Sequence, residues 1–230
     1  MIVVTGDTHI PIDAEKLVGA HSPLLSRLTK EDYLIVCGDF GGVWNGSTEE
    51  NLYLDLLNDM NYSLLFVDGN HENFDLLNTY PSKRWKGGMV GEIRPTVFHL
   101  KRGYVFSIDG LRIFTFGGAY SIDKPYRKES ISWWKEELPS KTEIERALGN
   151  LETIGNRVDY IITHTAPRDI LRDVFGYGYI EDEQELLSLF EFLKNECDFK
   201  HWYFGHVHKD IKIDNRFTAL YNTMVCMEQP

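Results

Sequence analysis

The sequence predicts an α/β fold built round a largely parallel sheet, and three observations carry that expectation. Short apolar runs at Ile2 to Thr5, Tyr33 to Cys37 and Leu64 to Val67 are each followed by Gly and Asp, as buried strands closed by turns would be. A helical pattern lies between the last two runs, and strand, helix and strand at this spacing imply crossover units. Five short polar motifs, finally, directly follow five apolar runs spread from residue 7 to residue 208.

Each element has a local reason. Ser47 opens the first helix, with Glu50 at the capping-box position. Tyr53, Leu56, Leu57 and Met60 then form its expected apolar stripe. Thr96 to Leu100, Tyr104 to Ile108 and Leu111 to Phe116 read as antiparallel strands, the last two joined by the two-residue turn Asp109-Gly110. Gly117-Gly118 ends that run, and a polar segment from Tyr120 to Ser140 follows, containing Trp133-Trp134. A helix carries Ile144, Ala147, Leu148 and Leu151 on one face, and Val158 to Thr163 is the next strand. A last helix carries Leu186, Leu189, Phe190 and Leu193, with the strand Trp202 to Phe204 after it. No repeat, low-complexity tract or Pro/Ser linker interrupts the chain, so residues 1–230 are expected to form one domain.

Composition narrows the functions. Hydrophobic residues make up 43% and charged residues 26% of the 230 positions, which is globular composition. The 24 Lys and Arg against 35 Asp and Glu give a formal net charge of −11. Such a chain has no global attraction to phosphate backbones or anionic lipid, which argues against tight nonspecific DNA binding. No stretch approaches the ~18 apolar residues of a membrane span. The odd cysteine count (Cys37, Cys197 and Cys226) argues against a disulfide framework. The start Met1-Ile2-Val3-Val4 has no basic leader region, so a reduced, cytoplasmic home is expected.

The chemistry lies in the five motifs. They are Asp7-Thr8-His9, Gly38-Asp39, Gly69-Asn70-His71-Glu72, Thr163-His164-Thr165 and Gly205-His206-Val207-His208. In open α/β sheets ligands bind at the carboxyl edge of the strands, so adjacent strands would gather these loops. Two carboxylates, an amide oxygen and several imidazoles suit borderline divalent metals. Seven ligands are too many for one tetrahedral zinc, and they suit two ions sharing a carboxylate. Glycines beside Asp39, Asn70 and His206 allow tight turns. His21, His99 and His201 lie outside the motifs and read as packed or exposed residues.

The order DxH, GD, GNHE, H, GHxH resembles the calcineurin-like metallophosphoesterase superfamily from residue 5 to residue 208. The resemblance implies a four-layer α/β/β/α sandwich of mixed sheets with a dinuclear metal site at the strand ends. It implies that Asp7, His9 and His208 hold one divalent ion and Asn70, His164 and His206 the other, with Asp39 bridging them. Manganese is the first expectation for both ions, with iron, zinc, cobalt and nickel as alternatives. Two such ions would clamp phosphoryl oxygens and lower the pKa of a bridging water, which would attack phosphorus in line. His71, by resemblance not itself a ligand, is the expected general acid for the leaving oxygen.

Protein serine/threonine phosphatases of the superfamily extend the second motif as GDxxDRG. Here Gly42 and Val43 stand at the Asp and Arg positions, and Ile10 replaces a frequent Gly after DxH. A small phosphorylated molecule, a nucleotide or a short nucleic acid is therefore the expected substrate, as diester or monoester. Protein phosphatase activity is the alternative, and a non-catalytic interaction module on the same fold ranks below it because His71 and all seven ligands are present. Arg127 is a candidate phosphate contact and Tyr120 a candidate stacking partner for a base. Lys83, Arg84, Lys86 and Arg94 form a local basic run, read as a solvated loop.

Overall fold

The computed structural model describes residues 1–17 and 22–228, so His21 lies outside the described residues. The strands in chain order are β1 (Ile2–Thr5), β2 (Tyr33–Val36), β3 (Ser63–Phe66), β4 (Ser82–Trp85), β5 (Gly88–Arg94), β6 (Val97–Leu100) and β7 (Tyr104–Ile108). β8 (Leu111–Phe116), β9 (Tyr160–Thr163), β10 (His201–Phe204), β11 (Ile211–Ile213), β12 (Phe217–Ala219) and β13 (Met224–Cys226) follow. The helices are α1 (Thr48–Asp59), α2 (Phe74–Leu77), α3 (Lys141–Thr153), α4 (Arg168–Phe175) and α5 (Gln184–Glu196).

Two mixed sheets result. The first has the order β13-β1-β2-β3-β6-β5-β4 and the second β11-β12-β10-β9-β8-β7. β1, β2 and β3 run parallel as neighbours, as do β8, β9 and β10. Side chains alternate faces along each strand, and this builds three apolar seams. Ile2, Val4, Ile35 and Leu65 meet Phe106, Ile113, Ile162 and Tyr203 between the sheets. Leu34, Val36, Leu64 and Phe66 pack outward against Leu54 and Leu57 of α1 and Leu77 of α2. Phe114, Ile161, Trp202 and Phe204 pack outward against α3, α4 and α5 through Leu151, Ile170 and Phe190. The layers are thus helix, sheet, sheet, helix.

Three expectations change. Leu54, not Leu56, shares the buried face of α1 with Leu57, and Leu56 is exposed. Val97–Leu100 joins the first sheet, parallel to β3 and antiparallel to β5, so the chain crosses between sheets at residues 101–103. Lys83 and Arg84 lie on β4, which forms a hairpin with β5 through Lys86-Gly87, both with positive φ. Lys83 pairs with Glu92 at 2.7 Å and Arg94 with Asp55 at 2.7 Å. The basic run is an edge hairpin, partly neutralised.

The start of α3 shows how local chemistry fixes an element. Ser140 Oγ accepts the Glu143 N–H, and the Glu143 carboxylate accepts the Ser140 N–H in return. Ser140→Ala is expected to cost about 1 kcal/mol, read as a lower denaturant midpoint at unchanged slope.

Candidate active site

The five motifs meet at one edge. Asp7 and His9 follow β1, Asp39 follows β2, and Asn70 and His71 follow β3, all in the first sheet. His164 follows β9 and His206 and His208 follow β10, in the second. The structure therefore brings all seven expected ligands and His71 together. Asp7, His9, Asp39 and His208 alone place one donor atom each within 4.8 Å of one another.

Asp39 is the hinge of the arrangement. Its Oδ2 lies 3.3 Å from His9 Nε2 and its Oδ1 lies 3.3 Å from His164 Nε2. Asn70 Oδ1 sits 3.0 Å from both His164 Nε2 and His206 Nδ1. The Asp7 carboxylate accepts the His206 N–H at 3.0 and 3.1 Å, and His208 Nε2 stands 3.9 Å from Asp7 Oδ1. His164 Nδ1 donates to the Cys37 carbonyl at 2.8 Å, which aims its Nε2 at Asp39 and Asn70. Asp13 lies 3.3 Å from His9 Nδ1 and fixes that ring in the same way.

The local backbone is built for this convergence. His9, Asp39, His206 and His208 have φ values of 38°, 48°, 65° and 49°. Non-glycine residues occupy this left-handed region at a cost, typically at functional sites. Gly38 has φ +89°, and a Cβ there would overlap the His164 ring. Gly38→Ala is expected to displace that ring and cut metal affinity by about 10- to 100-fold, as loss of ligand support does, measured by competition with a chelating dye.

The electrostatics fit a cation site. Burial alone would raise the Asp39 pKa, but the His164 charge and the hydrogen bonds from His164 and His9 hold it well below the carboxylate range. Burial raises Asp7, with the His164 charge opposing. Burial would lower His164, yet Asp39 and Asp7 push it up to about 9. His206 is driven down to about 3 by burial and by the His164 charge. Carboxylate and amide oxygens thus converge with imidazole nitrogens at 3.0 to 3.3 Å. A divalent ion answers that convergence with the donor types present, so the residues fit the metals the fold implies.

His71 stands beside this centre. Its backbone N–H donates to Asp39 Oδ1 at 2.7 Å, and its ring lies edge-on to His9 with centroids 5.6 Å apart. Arg127 Nη2 approaches the His71 ring nitrogens at 2.7 and 3.0 Å. Burial, and then the Arg127 charge against the pull of Asp39, lowers the His71 pKa. Tyr120 has Lys124 Nζ 3.9 Å above its ring, so one face is covered. Trp134 is core, edge-on to Trp44, with its Nε1 donating to Asp75. His99 is buried against Asp68, and His201 lies 2.8 Å from Thr218 Oγ1.

Several residues around the site were not singled out by sequence. The Asn70 amide nitrogen donates to Ser121 Oγ at 3.1 Å, which turns Oδ1 toward the histidines. Ser121 in turn donates its N–H to Glu137, which pairs with Lys124 at 2.6 Å. Glu72 is buried and accepts the Phe40 N–H at 2.8 Å, tying the β3 loop to the β2 loop. Lys16 donates to the Asp7 carbonyl, and Tyr221 stacks on His208 at 4.8 Å. Only Glu72 carried a signal, as the last letter of the GNHE motif.

Comparison with known proteins agrees with this geometry. The lariat debranching enzyme of Schizosaccharomyces pombe (strain 972) is 25% identical over 224 residues, a stretch covering 86% of this chain and 46% of that protein. A Staphylococcus aureus crystal structure, provisionally described as a 5′-nucleotidase, superposes with a TM-score of 0.50 at 15% identity. The superposition covers 96% of this chain and 48% of that one, and it speaks for the fold alone. The chain spans about half the length of the curated relative it matches. Its residues 1–210 match the profile described as calcineurin-like phosphoesterase, and the protein belongs to that family of phosphate-ester hydrolases.

Proposed function

We propose that the protein hydrolyses a phosphodiester in a nucleotide, a small phosphorylated molecule or a short nucleic acid at a two-metal centre. Asp39 carries the reading, because its two oxygens face separate donor groups. Asp7, His9 and His208 would hold the ion on one side, and Asn70, His164 and His206 the ion on the other. When bound, two divalent ions, manganese first among them, supply charge neutralisation of the phosphoryl oxygens and a water acidic enough to attack.

The chain's own residues do the rest. Arg127 binds a phosphoryl oxygen by its guanidinium fork, held in place by Asp123 at 2.8 Å. An ester entering between Arg127 and His71 takes up the guanidinium, so His71 loses its neighbouring charge and accepts a proton. His71 then donates that proton to the departing alkoxide. Arg127 is the cation that touches His71, and one guanidinium matches the single charge of a diester better than the double charge of a monoester. The debranching enzyme to which the chain is similar adds weight to a nucleic-acid diester. Tyr120 offers its uncovered face to a base.

The test is hydrolysis of bis-p-nitrophenyl phosphate and p-nitrophenyl phosphate by metal-stripped protein reloaded with manganese. Faster diester turnover is expected, and a strong monoester preference would overturn the diester assignment. His71→Ala adds a sharper measurement. p-Nitrophenolate leaves without a proton, so that substrate should lose little, whereas a dinucleotide should lose on the order of 10²- to 10⁴-fold in kcat. Equal losses on both substrates would remove His71 as general acid.

A further inference from the structure

A cavity of about 270 Å³ lies where the chain passes from α4 to α5. Tyr177, Tyr179 and Glu183 come from the connection between the two helices, and Arg168, Leu171 and Leu187 from the helices themselves. None of them belongs to the donor set, yet the cavity adjoins it. The Tyr177 and His206 ring centroids are 6.0 Å apart. Glu183 Oε1 accepts the Tyr120 N–H at 3.2 Å. One wall residue therefore touches the candidate metal centre, and another the segment that carries Tyr120 and Arg127.

Two features of the wall point to a ligand. Glu183 directly precedes α5, but its side chain caps no helical N–H. The residue is 5% exposed, and Tyr120 is its only donor among the described residues. Its Oε2 accepts nothing there and is not sealed from solvent. Water serves such an oxygen in the free protein, and a ligand N–H can take that water's place. A carboxyl keeps its acceptor capacity whether ionised or protonated. The second feature is Tyr179, which is 71% exposed. The Arg168 guanidinium stands 5.8 Å from its ring centroid, and Gln184 at 2.6 Å and Glu191 at 3.2 Å hold that guanidinium in turn. The ring is a supported platform with most of its surface open.

The walls select a chemical class. Two aromatic rings and two leucines favour a flat, weakly polar group, and a single acceptor asks it for an N–H. An anion would meet the Glu183 carboxyl, and a bare sugar would find too few polar partners. The volume is below the about 300–1,000 Å³ of a drug-sized site, so one ring system fills it. A nucleobase meets each condition, since bases stack on aromatic side chains and donate N–H groups from their pairing edges.

We propose that this cavity is a nucleobase subsite, in which the base stacks on Tyr179 and donates an N–H to Glu183 while its phosphate lies on the His206 side. The inference rests on the phosphodiesterase reading above and sharpens it. With Tyr120 serving one base and this cavity the other, the substrate is a diester joining two nucleosides.

The subsite is tested by calorimetric titration of the metal-loaded protein with ribose 5-phosphate and with the 3′- and 5′-monophosphates of adenosine, guanosine, cytidine and uridine. Ribose 5-phosphate offers sugar and phosphate alone, so the ratio of affinities reads the base. At least one nucleotide should bind about tenfold or more tightly than the sugar phosphate, from stacking and one hydrogen bond. Tyr179→Ala should cut that advantage by at least about fivefold, and the exposure of Tyr179 lets the fold survive its loss. Gly178 also lines the cavity, with no atom within 4 Å of where its Cβ would stand. Gly178→Trp should fill the space and abolish the advantage. Nucleotides that bind no tighter than ribose 5-phosphate, or an advantage that survives both substitutions, would overturn the subsite. Turnover plays no part in these ratios, so a failed subsite leaves the hydrolysis test standing, and failed hydrolysis leaves the ratios readable.

Discussion

Asp39→Asn is expected to lower kcat/KM for a phosphodiester by at least about 10³-fold, and to leave the protein with fewer than two tightly bound ions. The magnitude follows from what the carboxylate does. Its two oxygens lie 3.3 Å from one imidazole of each donor group, Oδ2 from His9 and Oδ1 from His164, and metal stabilisation of transition-state charge is worth several kcal/mol. At 1.36 kcal/mol per tenfold, a loss of about 4 kcal/mol gives that factor. The amide should still accept the His71 N–H, now found 2.7 Å from Oδ1, so the β3 loop keeps its place. Elemental analysis for metal content, beside the rate, checks the claim. A variant with two bound ions and near-native kcat/KM would sink the bridging role.

The second large effect concerns stability. Asp68→Asn is expected to cost about 3–5 kcal/mol, because it removes one partner of a buried ion pair and leaves the Arg102 charge uncompensated. Glu143, 3.6 Å from Arg102 Nη1, softens the loss and favours the lower end. The effect depends on pH with a definite sign. Burial would raise the Asp68 pKa, but Arg102 and His99 hold it well below the ordinary carboxylate value of ~3.9. A depressed carboxylate stabilises the fold above its unfolded pKa, and the contribution fades as pH falls toward the folded one. Urea unfolding should therefore show a wide gap between wild type and Asp68→Asn at pH 7 that narrows below about pH 4. A constant gap from pH 7 to pH 3 would place the stabilisation elsewhere.

Legibility in the sequence followed the range of the forces involved. The strands before each motif were readable because Ile2-Val3-Val4 and Ile161-Ile162 are apolar on both faces, and both faces are buried. The candidate donor set stands out in the sequence because metal chemistry restricts residue types so narrowly. Pairing between distant segments was not. By sequence Thr96 to Leu100 groups with the hairpin that follows it, since nothing local shows that Lys101 to Gly103 carries the chain from one sheet to the other. β11, β12 and β13 are three residues each, too short for periodicity to register. Leu56 looked like its neighbours on the helical stripe, and only the position of the sheet beneath selects Leu54 instead. Ser121 was invisible for the same reason, since its bond to Asn70 spans 51 positions.

The donor groups come from both sheets, four from the β1, β2 and β3 loops and three from the β9 and β10 loops. Neither sheet holds a usable half, so the centre measures how the two sheets sit against each other. A substitution in the seam between them, at Ile162 or Phe106 for instance, would shift one set of donors against the other without touching any. On the proposed two-metal reading, metal affinity would then gauge core packing, and the ions would act as rivets closing that edge of the sandwich.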